Sequence, residues 1–225
     1  MPSILRIRWA ITPKTAPRPH LNCNRCGSLK AYRCSGKFRV NANGKRIDAW
    51  LIYRCIDCDN SWNFGILERC SRRDIEPAIL QALESNDPVL ARRHAFDVAA
   101  LRSRIGRVEE FPEAIVHKQV LGDRPENTSA LELQLWLEMP TTLRLDRLLA
   151  SELGVPRSRL QVWEEKRLLV IGPDGGKDLR KPARAGTTIL VYRVGEPDRE
   201  AIISAAGRMK QRGKGAHECS LPSLL

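Results

Sequence analysis

The chain has 225 residues, 42% hydrophobic and 28% charged, and a formal net charge of +12. That balance excludes a disordered or fibrous chain, and no apolar run approaches the roughly 18 residues needed to span a membrane. The opening MPSILRIRWAITPK is too short in its apolar part, and too broken by arginine, to act as a secretory signal, so a cytoplasmic protein without membrane contact is expected.

The charge is unevenly spread. Residues 1–70 carry thirteen Lys and Arg against four Asp and Glu, residues 71–140 nine against twelve, and residues 141–195 eleven against six. Two basic blocks flank an acidic middle. Such fields suit a polyanionic partner, above all a nucleic acid.

Residues 1–22 begin with a short alternating stretch, after which Pro13, Pro17 and Pro19 impose an extended path. The first tight pair, Cys23-Asn-Arg-Cys26, follows, with Gly27 directly after it. KFRVNANGKRIDAWLIYRC then predicts two strands around Asn43-Gly44, a dipeptide that supplies positive φ to a tight hairpin. Where the second strand ends stands the other pair, Cys55-Ile-Asp-Cys58.

Seven cysteines leave one over in any full disulfide scheme, and two Cys-x-x-Cys turns favour a metal. Each such turn presents two soft thiolates to one tetrahedral ion, and four thiolates leave no open position. Cys23, Cys26, Cys55 and Cys58 are therefore expected to hold one structural zinc (Zn2+) in a zinc ribbon. An iron–sulfur cluster or a dithiol redox pair are the other chemistries open to these ligands. His20 is the only histidine near enough in sequence to compete as a ligand, although four cysteines already complete the site; Cys34 and Cys70 read as small buried residues, with a reactive thiol as the alternative, and Cys219 as an incidental tail residue.

Lys37, Arg39, Lys45 and Arg46 lie on the predicted hairpin, as a phosphate-reaching finger or as a solvated face. Trp9, Trp50, Trp62, Phe38 and Tyr53 lie in or near it, and serve either as the ribbon's core or as stacking surfaces for unpaired bases.

From 72 to about 107 the period turns helical. Asp74 is placed to cap a helix carrying Ile75, Ile79, Leu80 and Leu83, which Asn86-Asp87-Pro88 breaks. Pro88 suits the first turn of a second helix with Leu90, Phe96, Leu101 and Ile105, and the pair is expected to pack on the ribbon or to bridge the two halves. His94 and Asp97 read as a helix-surface contact rather than an acid–base pair. Residues 106–130 read as linker around a short apolar piece, Ala114–Val116. Leucines at every second position from Leu131 predict a strand buried on one face. Helical segments Leu143–Leu153 and Pro156–Lys166 follow, split by Gly154. Short strands with glycine turns then run to Tyr192, a last helix from Pro197 to about Gln211, and a tail, GKGAHECSLPSLL, without periodicity.

Within that later half, Arg144-Leu145-Asp146-Arg147-Leu148-Leu149, Pro156-Arg157-Ser158-Arg159, Lys166 to Gly172 and Gly186 to Val191 resemble the successive motifs of an S4-type RNA-binding domain. The resemblance covers about fifty residues, Leu143 to Tyr192. It departs from the pattern at Lys166, where glycine is usual, before Gly172, which lacks its asparagine, at Thr187 in place of aspartate, and at the lengthened PDGGKD turn. The resemblance implies two helices on a small curved sheet with a basic face toward structured RNA. Arg144, Arg157, Ser158, Arg159, Lys166 and Arg167 match positions on that face, and Arg180, Lys181 and Arg184 extend it. Guanidinium forks suit phosphates.

Arg8-Trp9, the first cysteine pair, KFRVNANGKRIDAWLIYRC, Ser61-Trp62-Asn63, Glu68-Arg69, Asn86-Asp87-Pro88 and Ala95-Phe96-Asp97 together resemble a bacterial family of unknown function across nearly the whole chain. The expected fold is α+β: a β zinc ribbon over 1–70, a helical pair and linker over 71–130, an S4-like α/β domain over 131–195, and a helix with tail over 196–225. The expected function is non-catalytic binding of structured RNA, either rRNA, tRNA or a ribosomal particle. DNA binding as a transcription factor, or an RNA-modifying enzyme that uses these modules to deliver substrate, are the alternatives.

Overall fold

The odd positions of the first strand, Leu5, Ile7, Trp9 and Ile11, are at most 2% exposed, whereas its even positions face out. That stripe needs a partner surface, and in the computed structural model it finds one in the second half of the chain. The structure describes residues 3–123, 125, 128–172, 179–192 and 198–208. These form a mixed α+β fold with two five-stranded sheets and six α-helices.

In the first sheet, β1 (Ile4–Pro13) lies between β7 (Ala114–Leu121), to which it is antiparallel, and β8 (Ala130–Leu137), to which it is parallel. Beyond β8 come β10 (Thr188–Tyr192) and β9 (Leu169–Ile171), both antiparallel to their neighbours. Leu131, Leu133 and Leu135 point to the same side as Trp9. Helices α4 (Leu145–Leu153), α5 (Arg157–Glu165) and α6 (Arg199–Gly207) cover that side with Leu148, Leu149, Leu160, Trp163, Ile202 and Ile203. Between α4 and α5, Gly154 takes φ +69°, the left-handed turn that lets α5 fold back.

The second sheet has the order β5-β4-β3-β2-β6. Its strands are β2 (Arg18–Cys23), β3 (Ser28–Asn43), β4 (Arg46–Cys55), β5 (Ser61–Ser71) and the short β6 (Val108–Glu109). The hairpin forms where the sequence predicts, but its two-residue turn is Gly44-Lys45: Asn43 ends β3 paired to Arg46, and of the expected dipeptide only Gly44 takes positive φ, +62°. One face is packed by α1 (Pro77–Ser85), α2 (Pro88–Ala95) and α3 (Val98–Arg104), whose Leu83, Leu90, Ala91, Ala95 and Leu101 meet Phe38, Leu51, Tyr53 and Phe64.

Several expectations change. Residues 1–70 are not one sheet, because Trp9 and its stripe are buried in the later core. Residues 114–121 are not linker but an edge strand, since β1 leaves a free side that β7 completes. The first helix begins at Pro77 rather than after Asp74, which closes a short 3-10 turn (Arg72–Asp74). The expected second helix is two, because the Asp97 carboxylate accepts the Ala100 N–H at 2.9 Å and starts α3 afresh. Asn86 ends α1 at φ +58° and its Oδ1 accepts the Phe38 N–H at 2.6 Å, tying helix end to sheet. The PDGGKD turn, Pro197, the Gln211 helix end and the tail with Cys219 lie outside the described residues.

Candidate metal centre and basic faces

The four paired cysteines converge at one rim of the second sheet. The first pair is the β2–β3 turn and the second the β4–β5 turn. In both, the residue four after the leading cysteine donates its N–H back to that cysteine's carbonyl: Gly27 to Cys23 at 2.8 Å, and Asp59 to Cys55 at 3.0 Å. Both residues take positive φ, +67° for Gly27 and +56° for Asp59. Asp59 thus does without glycine what Gly27 does, held by the Arg33 guanidinium at 2.8 Å and by Arg54, which donates to its carbonyl. The two turns are near-copies, each aiming two sulfurs at the same point.

The four Sγ atoms lie within 4.8 Å of one another, with Cys23 to Cys58 at 3.5 Å and Cys26 to Cys55 at 4.0 Å. A tetrahedral ion with bonds of about 2.3 Å to sulfur has S···S edges of roughly 3.8 Å. The cluster fits such an ion, whereas a disulfide would need about 2.05 Å. The Tyr32 hydroxyl donates to the Cys23 sulfur and holds that thiol down to about 5, and the hydrogen bond shared with Cys58 pushes Cys26 up to about 12. A bound cation would displace the proton that Cys26 otherwise keeps. Asn60 donates to the Cys23 sulfur, while Arg25 donates to the Cys58 carbonyl and Lys30 pairs with Asp57 at 2.6 Å, which brace the second turn.

His20 is not in the cluster; its Nε2 lies 3.4 Å from Glu109. Cys34 and Cys70 stand apart as well, with the Cys34 thiol pushed up by burial. Of the aromatic residues expected near the ribbon, Trp9, Phe38 and Tyr53 are core. His94 packs edge-on against Phe38 and Asp97 caps α3, so both have structural roles.

The hairpin cations sit toward the opposite end of β3 and β4 from the sulfurs. Lys37 is exposed beside the β3 bulge, Arg39 faces Trp50 across the pair, Lys45 is exposed at the turn, and Arg46 donates to the Arg69 carbonyl at 3.0 Å.

The later cations form a cluster around a buried carboxylate. Asp146 is fully buried at the start of α4, and its oxygens accept from Arg144 at 3.1 and 2.7 Å. Arg157 lies 3.5 Å away, with its side chain 51% exposed. Leu145 donates to the Lys181 carbonyl and Asp146 to that of Leu179, which brings the Arg180, Lys181 and Arg184 segment beside the same carboxylate. Asp146 thereby orients two guanidinium groups that still face water.

Arg159 stacks on Trp163 and pairs with Asp198 at 2.7 Å, while Ser158 is exposed. Lys166 and Arg167 lie past the far end of α5, roughly 13 Å along its axis from Arg157. There Arg167 takes φ +55°, the left-handed conformation for which glycine is expected one residue earlier.

Fold and site together define a two-sheet α+β protein with a four-cysteine, metal-type centre at the rim of one sheet. The chain belongs to the family described as protein of unknown function (DUF1062), which matches residues 40–173. That span holds Cys55, Cys58, Arg144, Asp146 and Arg157, whereas Cys23, Cys26, Arg180, Lys181 and Arg184 lie outside it. No curated protein and no solved structure matches the chain. Among the described residues no helix is long and apolar enough to cross a membrane.

Proposed function

We propose that the protein is a non-catalytic, cytoplasmic RNA-binding protein in which the four cysteines hold one structural zinc and a zinc ribbon. Its later unit, an S4-like domain over 143–192, grips structured RNA such as rRNA, tRNA or a ribosomal particle. The observation that carries this reading is the Asp146 cluster. A carboxylate at 0% exposure holds Arg144 and Arg157 in place and offsets only one of their two charges, while their side chains stay 36% and 51% exposed in the same segment of the fold as Arg180 and Arg184. Preoriented guanidinium forks match phosphate oxygens bidentately and lose less freedom on binding than free side chains do.

The test is binding of a hairpin RNA across a salt series. Wild type is expected to show a steep fall in affinity with salt, from counterion release. Arg157→Ala and Arg180→Ala are each expected to weaken binding and to reduce the salt slope by about one. Unchanged affinity and slope in both variants, with zinc content retained, would overturn the assignment. Tighter binding of duplex DNA at matched salt would replace RNA by DNA.

A further inference from the structure

The helices cover only one side of the first sheet, and the other side carries a tryptophan in water. Trp136 on β8 is 52% exposed, the most exposed of the large hydrophobic residues described. It shares its side with Glu132 and Gln134, opposite to Leu131, Leu133 and Leu135. The pairing fixes its neighbours. Trp136 lies across from Ala10 on β1, and Ala10 lies across from His117 on β7. An aromatic ring and an imidazole thus flank a methyl group, two strand spacings or roughly 10 Å apart. Arg8, one step along β1 on the same side, stands at one end of this slot beside Gln119 and Gln134, and Thr12 at the other. Further along, Arg6 pairs with Glu132 at 3.3 Å, whereas Arg8 makes no ion pair among the described residues.

We infer that this slot over Ala10 holds an unpaired nucleobase of a single-stranded nucleic acid segment. A planar base is the ligand that suits a floor of one methyl group flanked by an indole and an imidazole, and stacking needs no particular base. Charge complementarity selects the same occupant, because Arg8 stands where the phosphate next to a stacked base would lie. Ile115, 44% exposed across from Thr12, extends the apolar surface at one end, but polar Gln119, Gln134 and Arg8 interrupt it at the other, unlike a continuous protein-docking patch. The inference deepens the RNA-binding reading. The Asp146 cluster would take the folded part of the RNA, and this face an unpaired flank of it.

The experiment measures fluorescence anisotropy of a short, unstructured oligoribonucleotide and, separately, of a hairpin RNA. Trp136→Ala is expected to weaken oligoribonucleotide binding about tenfold, the effect of losing one stacked base, while Trp136→Phe keeps most of it. Ala10→Leu fills the slot from the half-buried, uncovered side and is expected to cause a similar loss with the Trp ring still present. Thermal melts of each variant report whether it is folded. Oligoribonucleotide affinity unchanged in both Trp136→Ala and Ala10→Leu overturns the slot, whatever the hairpin does, and leaves the face to a protein partner. Hairpin affinity indifferent to Arg157→Ala, with the oligoribonucleotide still lost on Trp136→Ala, overturns the Asp146 reading and keeps the slot.

Discussion

The two sheets meet the same requirement, one apolar face to be covered, by different means. The first buries Trp9, six leucines and isoleucines of β1 and β8, and three helices in a single large core drawn from both ends of the chain. The second is a run of consecutive antiparallel strands with a smaller core, closed at its rim by four sulfurs. One sheet is specified by volume, the other by volume plus a point constraint. On the proposed reading, an ion shared by the two turns would keep a short meander ordered on a modest core, because it would fix the register of both hairpins at once.

The comparison breaks most visibly on metal removal. Zinc ligation contributes on the order of 10 kcal/mol in small peptides. Stripping the ion with a strong chelator, or replacing both Cys55 and Cys58 by serine, is therefore expected to abolish hydrogen-exchange protection in β2–β5. Protection in β8–β10 should persist. Equal loss in both sheets would show that they do not differ in this way.

A smaller effect, on the other sheet, comes from Lys118. Its ammonium is 2% exposed, lies 2.8 Å from the Glu152 carboxylate and 5.0 Å from the Trp9 ring centre, and donates to the Ala205 carbonyl near the end of α6. Trp9 Nε1 donates to the next carbonyl, that of Ala206, at 3.0 Å. Lys118→Met takes the buried cation from beside the Glu152 carboxylate and from a helix C-terminus, with an expected cost of about 3–5 kcal/mol in denaturant unfolding. The Lys118→Met, Glu152→Leu double variant should recover most of it. Early loss of protection should be confined to the first sheet and α6.

The smallest effect is pH-dependent and belongs to the second sheet. Burial holds His94 below its ordinary value of 6.5, opposed by the Asp97 carboxylate and assisted by Arg93. The folded state therefore prefers the neutral ring. The sign follows: His94 costs nothing above 6.5, and stability is lost as pH falls below it, because the unfolded chain takes up the proton more readily. His94→Asn is expected to melt with a shallower acid dependence between pH 6.5 and 5.5 than wild type, with metal content matched. Parallel curves would remove His94 from the account.

Local signals in the sequence carried much of this. The Asn43-Gly44 hairpin, the break at Asn86-Asp87-Pro88, the glycine between α4 and α5 and the convergence of Cys23, Cys26, Cys55 and Cys58 are all local or motif-like, and each is readable from residue chemistry. What was not legible is the pairing of β1 with β7 and β8. Strand periodicity reports which face is buried but not which distant strand buries it, so Trp9 reads as part of the nearest module. Asp59 gives no such signal, because its positive φ goes with contacts from Arg33 and Arg54 rather than with the absence of a side chain. Trp136 carried a readable signal: it is out of step with Leu131, Leu133 and Leu135, and in step with Glu132 and Gln134, which already places it on the wet side of the strand.

The placement of β1 also has a consequence for the order in which the molecule assembles. As the chain is synthesised, this strand emerges long before β8; at 5–20 residues per second the wait is roughly 6–25 s. Meanwhile residues 18–109 are complete and, if the four cysteines take up the proposed ion, would fold first. Once they have, Pro13 and Ala114 are neighbours, with the Lys14 N–H on the Glu113 carbonyl at 2.9 Å. Ring closure between β1 and β7 then spans a few residues instead of about 100, an entropic saving of about 2 kcal/mol. Supply of the ion to the nascent polypeptide would thus set how quickly the distant sheet closes.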